Sequence, residues 1–209
     1  MLTLLVITPA MQFQQDYSQI WNNFRKGDEA SFRLIYDGFY TSLLNYGLRF
    51  TPNVEIAEDA IQDLYIKLWT NRKNINQTAG VKNYLYKAFR RTLIRKLEQQ
   101  AAVATGLEEE SPVFDFQLSH EHVLIRQEQL QQTRAVLQQA LEAMTSRQRE
   151  MIYLRFYEDL SYDQIAEMME ITTKGAYKLV YRALDKLREN LGGISLSLAL
   201  WLLKNTVLN

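Results

Sequence analysis

The sequence predicts an all-α protein that consists of two small helical domains joined by an acidic flexible linker. With only 8 Gly and 3 Pro among 209 residues, the chain has few of the turn residues that a sheet protein needs. Apolar residues recur at three-and-four spacing in several segments, which is the period of helices that bury one face. A hydrophobic share of 47% is enough to form a buried core.

Three helices are expected in the first domain. Asp28 is a good N-cap candidate for a helix over Asp28–Phe50, which Pro52 separates from the next helix. The second helix is expected over Val54–Asn71 and the third over Gly80–Gln99, each with apolar residues along one face.

A linker is expected after the third helix. The segment Ala101–Ser119 contains a Gly, a Pro and three consecutive Glu, and it lacks helical periodicity. We therefore expect a first domain at 11–100, a linker at 101–120, a second domain at 121–192 and an apolar tail at 193–209.

The second domain is expected to contain four helical segments, three of which begin at a residue suited to cap a helix. Ser146 and Ser161 are N-cap candidates, and Gln164 follows Ser161 at the spacing of a capping box. Thr172 or Thr173 can cap the last helix. The expected helices are Glu121–Met144, Ser146–Tyr157, Ser161–Met169 and Thr172–Leu191.

The composition favours a cytoplasmic protein. The chain has no cysteine, which excludes disulfides and thiolate chemistry and is compatible with a reducing compartment. The apolar opening Met1–Ala10 has no basic residue ahead of its hydrophobic run, which argues against a secretory signal, and no stretch has the roughly 20 apolar residues of a membrane span. Either Met1 or Met11 can be the start.

The net charge of zero is the sum of two opposed blocks. Residues 81–97 contain six basic residues and no acid, whereas residues 98–125 contain six acids and no Lys or Arg. The sequence therefore predicts a basic surface beside an acidic connector, so a nucleic-acid partner is not excluded by the neutral total.

The segment Leu160–Glu189 has the pattern of a helix-turn-helix. Its second helix buries one apolar stripe, while the opposite face is polar, basic and aromatic, and residues 172–191 carry five basic residues and two acids. Such a face suits the major groove of DNA. A helical hairpin with an ordinary solvated face is the alternative. The residues of the outer stripe are Lys174, Tyr177, Lys178 and Tyr181, with Arg182 at its flank.

Two further surfaces stand out in the first domain. Asp59 and Asp63 lie four residues apart on one helical face with Glu58 and Gln62, and this repulsion indicates a basic or polar partner. The basic helix interleaves aromatic residues with cations, which suits a single nucleic-acid strand, although Phe89 falls on the buried stripe. In both cases an ordinary solvated face is the alternative.

Nothing in the sequence indicates an enzyme or a cofactor. His120 and His122 lie in the linker segment without clustered ligands, so metal binding is not expected. The acid pairs have no phosphate-binding loop, nucleophile elbow or paired histidine beside them. The apolar run Ile194–Leu203 is too short to span a bilayer, and we expect it to pack on its own domain in preference to an inhibitory partner.

Two segments of this chain resemble the extracytoplasmic-function sigma factors of bacterial RNA polymerase. Residues 140–189 resemble region 4 through SRQRE at 146–150, LSY at 160–162, IAE at 165–167 and the closing RAL and KLR. Residues 58–69, EDAIQDLYIKLW, resemble region 2. The resemblance covers about 28–99 and 140–189.

The resemblance implies an alternative sigma factor that brings polymerase core to specific promoters. Its partners would be the clamp of the largest polymerase subunit, the flap of the second largest, promoter DNA and, where one exists, an anti-sigma factor. Minus-thirty-five recognition would fall to Thr173, Lys174, Tyr177, Lys178 and Arg182. Minus-ten recognition and melting would fall to Lys82, Tyr86, Lys87, Arg90, Arg91 and Arg95, after an amide-rich loop at 71–79 that would capture a flipped base. Polymerase docking would fall to Glu58, Asp59, Gln62 and Asp63.

The chain departs from the family pattern at several positions. Glu170 stands where the turn usually has Gly, Gly175–Ala176 replaces a Thr–Val pair, and Arg91 stands where Asn is frequent. Two alternative functions remain open: a helix-turn-helix regulator that binds operators as a dimer without polymerase, and a helical adaptor that binds only protein.

Overall fold

A computed structural model describes residues 17–78, 80–105, 112–116 and 128–206. Within these ranges the chain forms nine α-helices and one π-helical segment, with no strand, which confirms the all-α prediction. The elements are α1 Tyr17–Arg25, α2 Glu29–Gly47, α3 Val54–Asn71, α4 Val81–Thr105, α5 Glu128–Glu142, α6 Ser146–Ile152, the π-helical segment Tyr153–Tyr157, α7 Tyr162–Met168, α8 Thr173–Asn190 and α9 Leu196–Thr206.

Helices α1 to α4 form the first domain. The Asp28 carboxylate accepts a hydrogen bond from the backbone N–H of Ser31, which caps α2 and lowers the pKa of Asp28. The Asn53 side chain caps α3 in the same way. Helix α1 was not anticipated from the sequence; it covers the core with Trp21 and Phe24, both fully buried.

Gly47, the last residue of α2, allows three helices of the first domain to approach closely. A Cβ atom at this position would lie 2.9 Å from Cζ of Phe89 on α4 and 3.2 Å from Cβ of Ala57 on α3. Because no real Cβ tolerates the shorter distance, the missing side chain is what lets the Phe89 ring seat against α2.

The prediction of a linker beginning at residue 101 was wrong for its first five residues. Helix α4 continues to Thr105, because Ala101, Ala102 and Ala104 are strong helix formers and the first helix-breaking residue is Gly106. Farther along the same segment, residues 112–116 are extended, and Phe114 and Phe116 are buried.

Helices α5 to α9 form the second domain. The N-cap of α6 is Thr145 and not Ser146, since the Thr145 hydroxyl accepts from the backbone N–H of Gln148, whose side chain returns a bond to Thr145 N–H. The Ser146 hydroxyl instead accepts a bond from Phe114 N–H at 2.7 Å. After α6 the helix widens into the π-helical segment, which closes with Glu158 N–H donating to Tyr153 C=O at 3.0 Å.

The apolar run near the C-terminus packs on its own domain, as predicted. Helix α9 buries Ala199, Leu202 and Leu203 and packs against the π-helical segment. Lys204 forms an ion pair with Asp159 at 2.9 Å, which anchors the end of the helix. His120 and His122 lie outside the described residues.

The two domains share one continuous core. The Tyr46 ring on α2 contacts those of Phe89 on α4, Phe114 of the extended segment and Tyr153 of the π-helical segment at centroid distances of 6.2, 5.9 and 5.8 Å. Offset and tilted arrangements of this kind are favourable for aromatic pairs. Tyr46 therefore lies where the domains and the connecting segment meet.

Candidate nucleic-acid and polymerase interfaces

Helices α7 and α8 form the predicted helix-turn-helix. The Ser161 hydroxyl accepts from Gln164 N–H and the Gln164 side chain accepts from Ser161 N–H, so α7 begins with the capping box expected from the sequence. Thr172, one of the two predicted caps, accepts from Gly175 N–H and begins α8.

The turn between these helices places Glu170 in the left-handed region, with φ of 56°. Met169 N–H donates to Ile165 C=O, and Ile171 N–H donates to Ala166 C=O at 2.9 Å, which closes the helix end in a Schellman arrangement. The residue that replaces the usual Gly thus adopts the glycine conformation, and the turn is preserved at a cost in backbone strain.

Helix α8 presents the predicted DNA-reading stripe to solvent. Lys174, Lys178 and Arg182 are exposed, as are Tyr177 and Tyr181 at 54% and 66%.

Thr173 lies at the start of the stripe, and its hydroxyl donates to Asp163 at 2.9 Å. The Tyr177 ring lies 4.3 Å from that of Tyr162 on α7, which fixes the tyrosine on the outer face. All five predicted residues are therefore at or beside one accessible basic and aromatic surface.

The basic face of α4 is arranged differently from what the sequence suggested. Arg91 and Arg95 are exposed, but Lys82, Lys87 and Arg90 are only partly so. Four of the six predicted cations are held by acidic side chains of the second domain, as described below.

Tyr86 does not offer a platform for a base in this structure. It is fully buried, with its ring 5.4 Å from that of Tyr46, and burial raises the pKa of its hydroxyl well above the usual value. The sequence pattern placed it beside the cations of α4, but the second domain covers that side of the helix. Phe89 is buried, as the helical stripe predicted.

Arg90 forms a buried ion pair with Glu150 of α6. Its Nε donates to Oε1 at 2.7 Å and its second amino group donates to Oε2 at 3.2 Å, a bidentate arrangement, while Tyr46 donates its hydroxyl to Oε1 at 2.6 Å. The two side chains are 17% and 3% exposed. Burial and the adjacent Glu150 keep Tyr46 protonated by raising its pKa.

Three further contacts follow along α4. Lys82 donates to both a carboxylate oxygen and the backbone C=O of Glu158 at 2.8 and 2.7 Å. Lys87 donates to Glu167 at 2.7 Å, and Arg91 donates to Glu170 at 3.0 Å. Hydrogen bonds from Lys87 and from Asn83 lower the pKa of Glu167.

These four acidic partners, Glu150, Glu158, Glu167 and Glu170, were missed in the sequence. They are spread over 20 residues of three helical elements and a turn, so no single spacing identifies them. Their one sequence signal is a set of acids within an otherwise basic DNA-binding segment.

The acidic face of α3 is present, although two of its members have partners within the domain. Asp59 and Gln62 are exposed. Glu58 accepts a hydrogen bond from Tyr40 at 2.8 Å, and Asp63 pairs with Lys96 at 3.0 Å. Lys96 therefore relieves part of the repulsion that the sequence indicated, and the rest of the face is available to a partner.

The amide-rich loop at 71–78 is positioned by its ends, and residue 79 lies outside the described residues. Asn71 donates its side-chain amide to Lys67 C=O at 3.0 Å, and Trp21 donates its indole N–H to Asn76 C=O at 3.2 Å. Ile75 is buried, while Asn74, Asn76 and Gln77 are exposed. The exposed amides can hydrogen-bond a base edge.

Comparison with known proteins identifies both halves. Residues 35–103 match the family described as sigma-70 region 2, and residues 134–187 match sigma-70 region 4. The RNA polymerase sigma factor YlaC of Bacillus subtilis is 22% identical over 158 residues, which are 75% of this chain and 90% of YlaC. The ECF RNA polymerase sigma factor SigW of the same organism is 26% identical over 176 residues, 80% of this chain and 92% of SigW.

The chain belongs to the extracytoplasmic-function sigma factors. In this sigma factor, region 2 corresponds to most of α2, α3 and α4, and region 4 extends from α5 into α8. Its fold is similar to that of the sigma factor RpoE solved with the anti-sigma factor NepR from Bartonella quintana, with a TM-score of 0.52, 19% identity, and 80% of this chain and 98% of that chain covered. None of the helices in the described part of the chain is long and apolar enough to cross a membrane.

Proposed function

We propose that this sigma factor directs RNA polymerase core to specific promoters by using three separate surfaces. The supporting observation is that region 2 and region 4 occur together in one chain, each with an accessible surface of the chemistry its task needs. The protein acts in the cytoplasm as an initiation factor without an enzymatic activity or a cofactor of its own.

The exposed stripe of α8 reads the minus-thirty-five element. A helix held across a tight turn can enter the major groove, where cations neutralise phosphates and polar or aromatic side chains meet base edges. Tyr177 and Tyr181 extend from this surface and can contact thymine methyl groups. Thr173, Lys174, Lys178 and Arg182 supply the polar contacts.

Region 2 docks on polymerase and opens the minus-ten element. The exposed carboxylate of Asp59 and the amide of Gln62 present a polar face to the clamp of the largest subunit, with Glu58 and Asp63 at its edges. Lys82, Lys87, Arg90, Arg91 and Arg95 hold the melted strand once α4 is uncovered. Region 4 also contacts the flap of the second largest subunit, and an anti-sigma factor such as the one in the RpoE complex is a further partner.

In-vitro transcription with purified core polymerase on genomic DNA tests the function and reveals the promoter. The double variant Lys174→Glu with Lys178→Glu is expected to abolish promoter-specific transcripts and to retain polymerase binding. The matched control, Lys26→Glu with Arg33→Glu, makes the same charge change at two exposed positions outside the three surfaces and should transcribe normally. If wild-type protein gives no specific transcripts and fails to co-purify with core, the proposed function is wrong.

A further inference from the structure

We propose that the protein inhibits its own region 2: acidic residues of region 4 occupy the cations of α4 in the free protein, and polymerase must separate the regions before α4 can hold promoter DNA. This proposal rests on the proposed function only for the meaning of the uncovered state. The closed arrangement itself can be measured without polymerase.

The first observation is the pairing along α4. Lys82, Lys87, Arg90 and Arg91 lie within ten residues, and each meets a different acidic residue of the second domain. A phosphate needs the same cationic hydrogens that these carboxylates accept, so α4 cannot bind both at once. The acids therefore compete directly with promoter DNA.

The second observation is that the contact is specific. Arg90 and Glu150 form a bidentate pair inside an aromatic cluster, and removing either partner would leave a buried charge unpaired. Glu158, the partner of Lys82, is only 5% exposed. Exposed pairs contribute little, but buried and satisfied pairs fix one relative orientation of two surfaces.

The third observation is the segment at 112–116, which ties the two regions together. Phe114 inserts between Phe50 of region 2 and Tyr153, at 5.0 and 5.5 Å between ring centroids. Arg149 donates to Phe114 C=O at 3.0 Å, and Asp115 N–H donates to Arg49 C=O at 2.6 Å. One extended pentapeptide thus bonds to both regions and stabilises the closed state.

The closed arrangement covers α4 and leaves α8 accessible. Lys174, Tyr177 and Lys178 remain exposed while Arg90 and Tyr86 are covered. The inhibition should therefore be selective, because single-strand binding by region 2 is suppressed whereas duplex binding by region 4 is not.

Fluorescence energy transfer measures the closure. The chain has no cysteine, so dyes can be placed at Asn23→Cys on α1 and Ser197→Cys on α9, both exposed positions. The variant Glu167→Lys with Glu170→Lys replaces two exposed attractions by repulsions, and we expect transfer to fall and affinity for single-stranded oligothymidine to rise about three- to tenfold.

A matched control separates opening from added charge. Glu29→Lys with Asp37→Lys makes the same charge change at exposed positions of α2 that do not contact region 4. It should leave transfer unchanged and raise oligothymidine affinity less. Equal affinity in the two double variants, with equal transfer, would overturn the proposal.

A second variant avoids the charge question. Phe114→Ala with Phe116→Ala removes the aromatic contacts of the extended segment and leaves every helix intact in sequence, so helical circular dichroism should persist while transfer falls. Unchanged transfer would contradict the role of this segment.

Adding stoichiometric core polymerase to the labelled wild-type protein should lower transfer. If the protein binds core and transfer stays constant, polymerase does not open it and the proposal fails. If the protein does not bind core at all, the proposed function fails, whereas closure is still judged by the variants alone.

Discussion

Replacing Glu170 by glycine is expected to relieve strain in the turn of the helix-turn-helix. Glu170 has φ of 56°, where a residue with a Cβ costs about 1 kcal/mol or more relative to glycine. Its ion pair with Arg91 joins side chains that are 59% and 64% exposed, and such a pair contributes at most about 1 kcal/mol. The two effects therefore oppose each other in Glu170→Gly.

Comparison with Glu170→Ala separates these effects. Both variants lose the ion pair, but only alanine retains the strained Cβ, so Glu170→Gly should be more stable than Glu170→Ala by about 1 kcal/mol. In urea unfolding followed by circular dichroism, this difference should raise the midpoint by about 0.5 M for a typical slope of about 2 kcal/mol per molar.

Gly192 provides the reverse control. It has φ of 54°, and a Cβ there would meet nothing within 4 Å, so Gly192→Ala adds backbone strain without a steric clash. It should destabilise the protein by about 1 kcal/mol. Equal midpoints for Glu170→Ala and Glu170→Gly, alongside a destabilised Gly192→Ala, would refute the assignment of strain to Glu170.

Three further predictions concern the core, a helix cap and the DNA surface. Gly47→Ala should lower the free energy of unfolding by about 1–3 kcal/mol in urea titration, because its Cβ would clash with Phe89; an unchanged midpoint would contradict the close approach. Ser161→Ala should cost about 1 kcal/mol by the same measurement, whereas Ser161→Gly should cost only a few tenths. Lys178→Gln should reduce the slope of log affinity against log salt for promoter duplex by about 0.9 if Lys178 contacts one phosphate, and Lys26→Gln should leave that slope unchanged.

Local signals were sufficient for much of the fold. Helix α3 spans Val54–Asn71, the same range that the apolar spacing predicted, since Asn53 caps it and its buried face has a regular period. The capping box of α7 was also confirmed. The cap of α6 was misplaced by one residue because Thr145 and Ser146 are equally suitable by type, and their partners decide between them.

The site was less predictable where contacts are distant in sequence. The exposed stripe of α8 follows from the periodicity of one helix, and the structure shows it as expected. The environment of α4 depends on residues 60 to 84 positions away, as in the bonds from Arg90 to Glu150 and from Asn83 to Glu167. The pattern of α4 itself cannot reveal which of its polar residues another domain covers, and Tyr86 was misjudged for that reason.

The chemistry of the contact between the regions is what a reversible closure requires. An entirely apolar interface would be more stable closed, since a buried ion pair seldom exceeds the contribution of hydrophobic residues of similar size. It would also expose an apolar patch on opening, with a cost in solvation and a tendency to aggregate. Here the outer ring of the contact consists of charged groups such as Lys87 and Glu167, which water solvates well in the open state. Because cations that bind acids in one state can bind phosphates in the other, opening exchanges one set of charge-assisted hydrogen bonds for another, and docking of each region on polymerase can shift that balance.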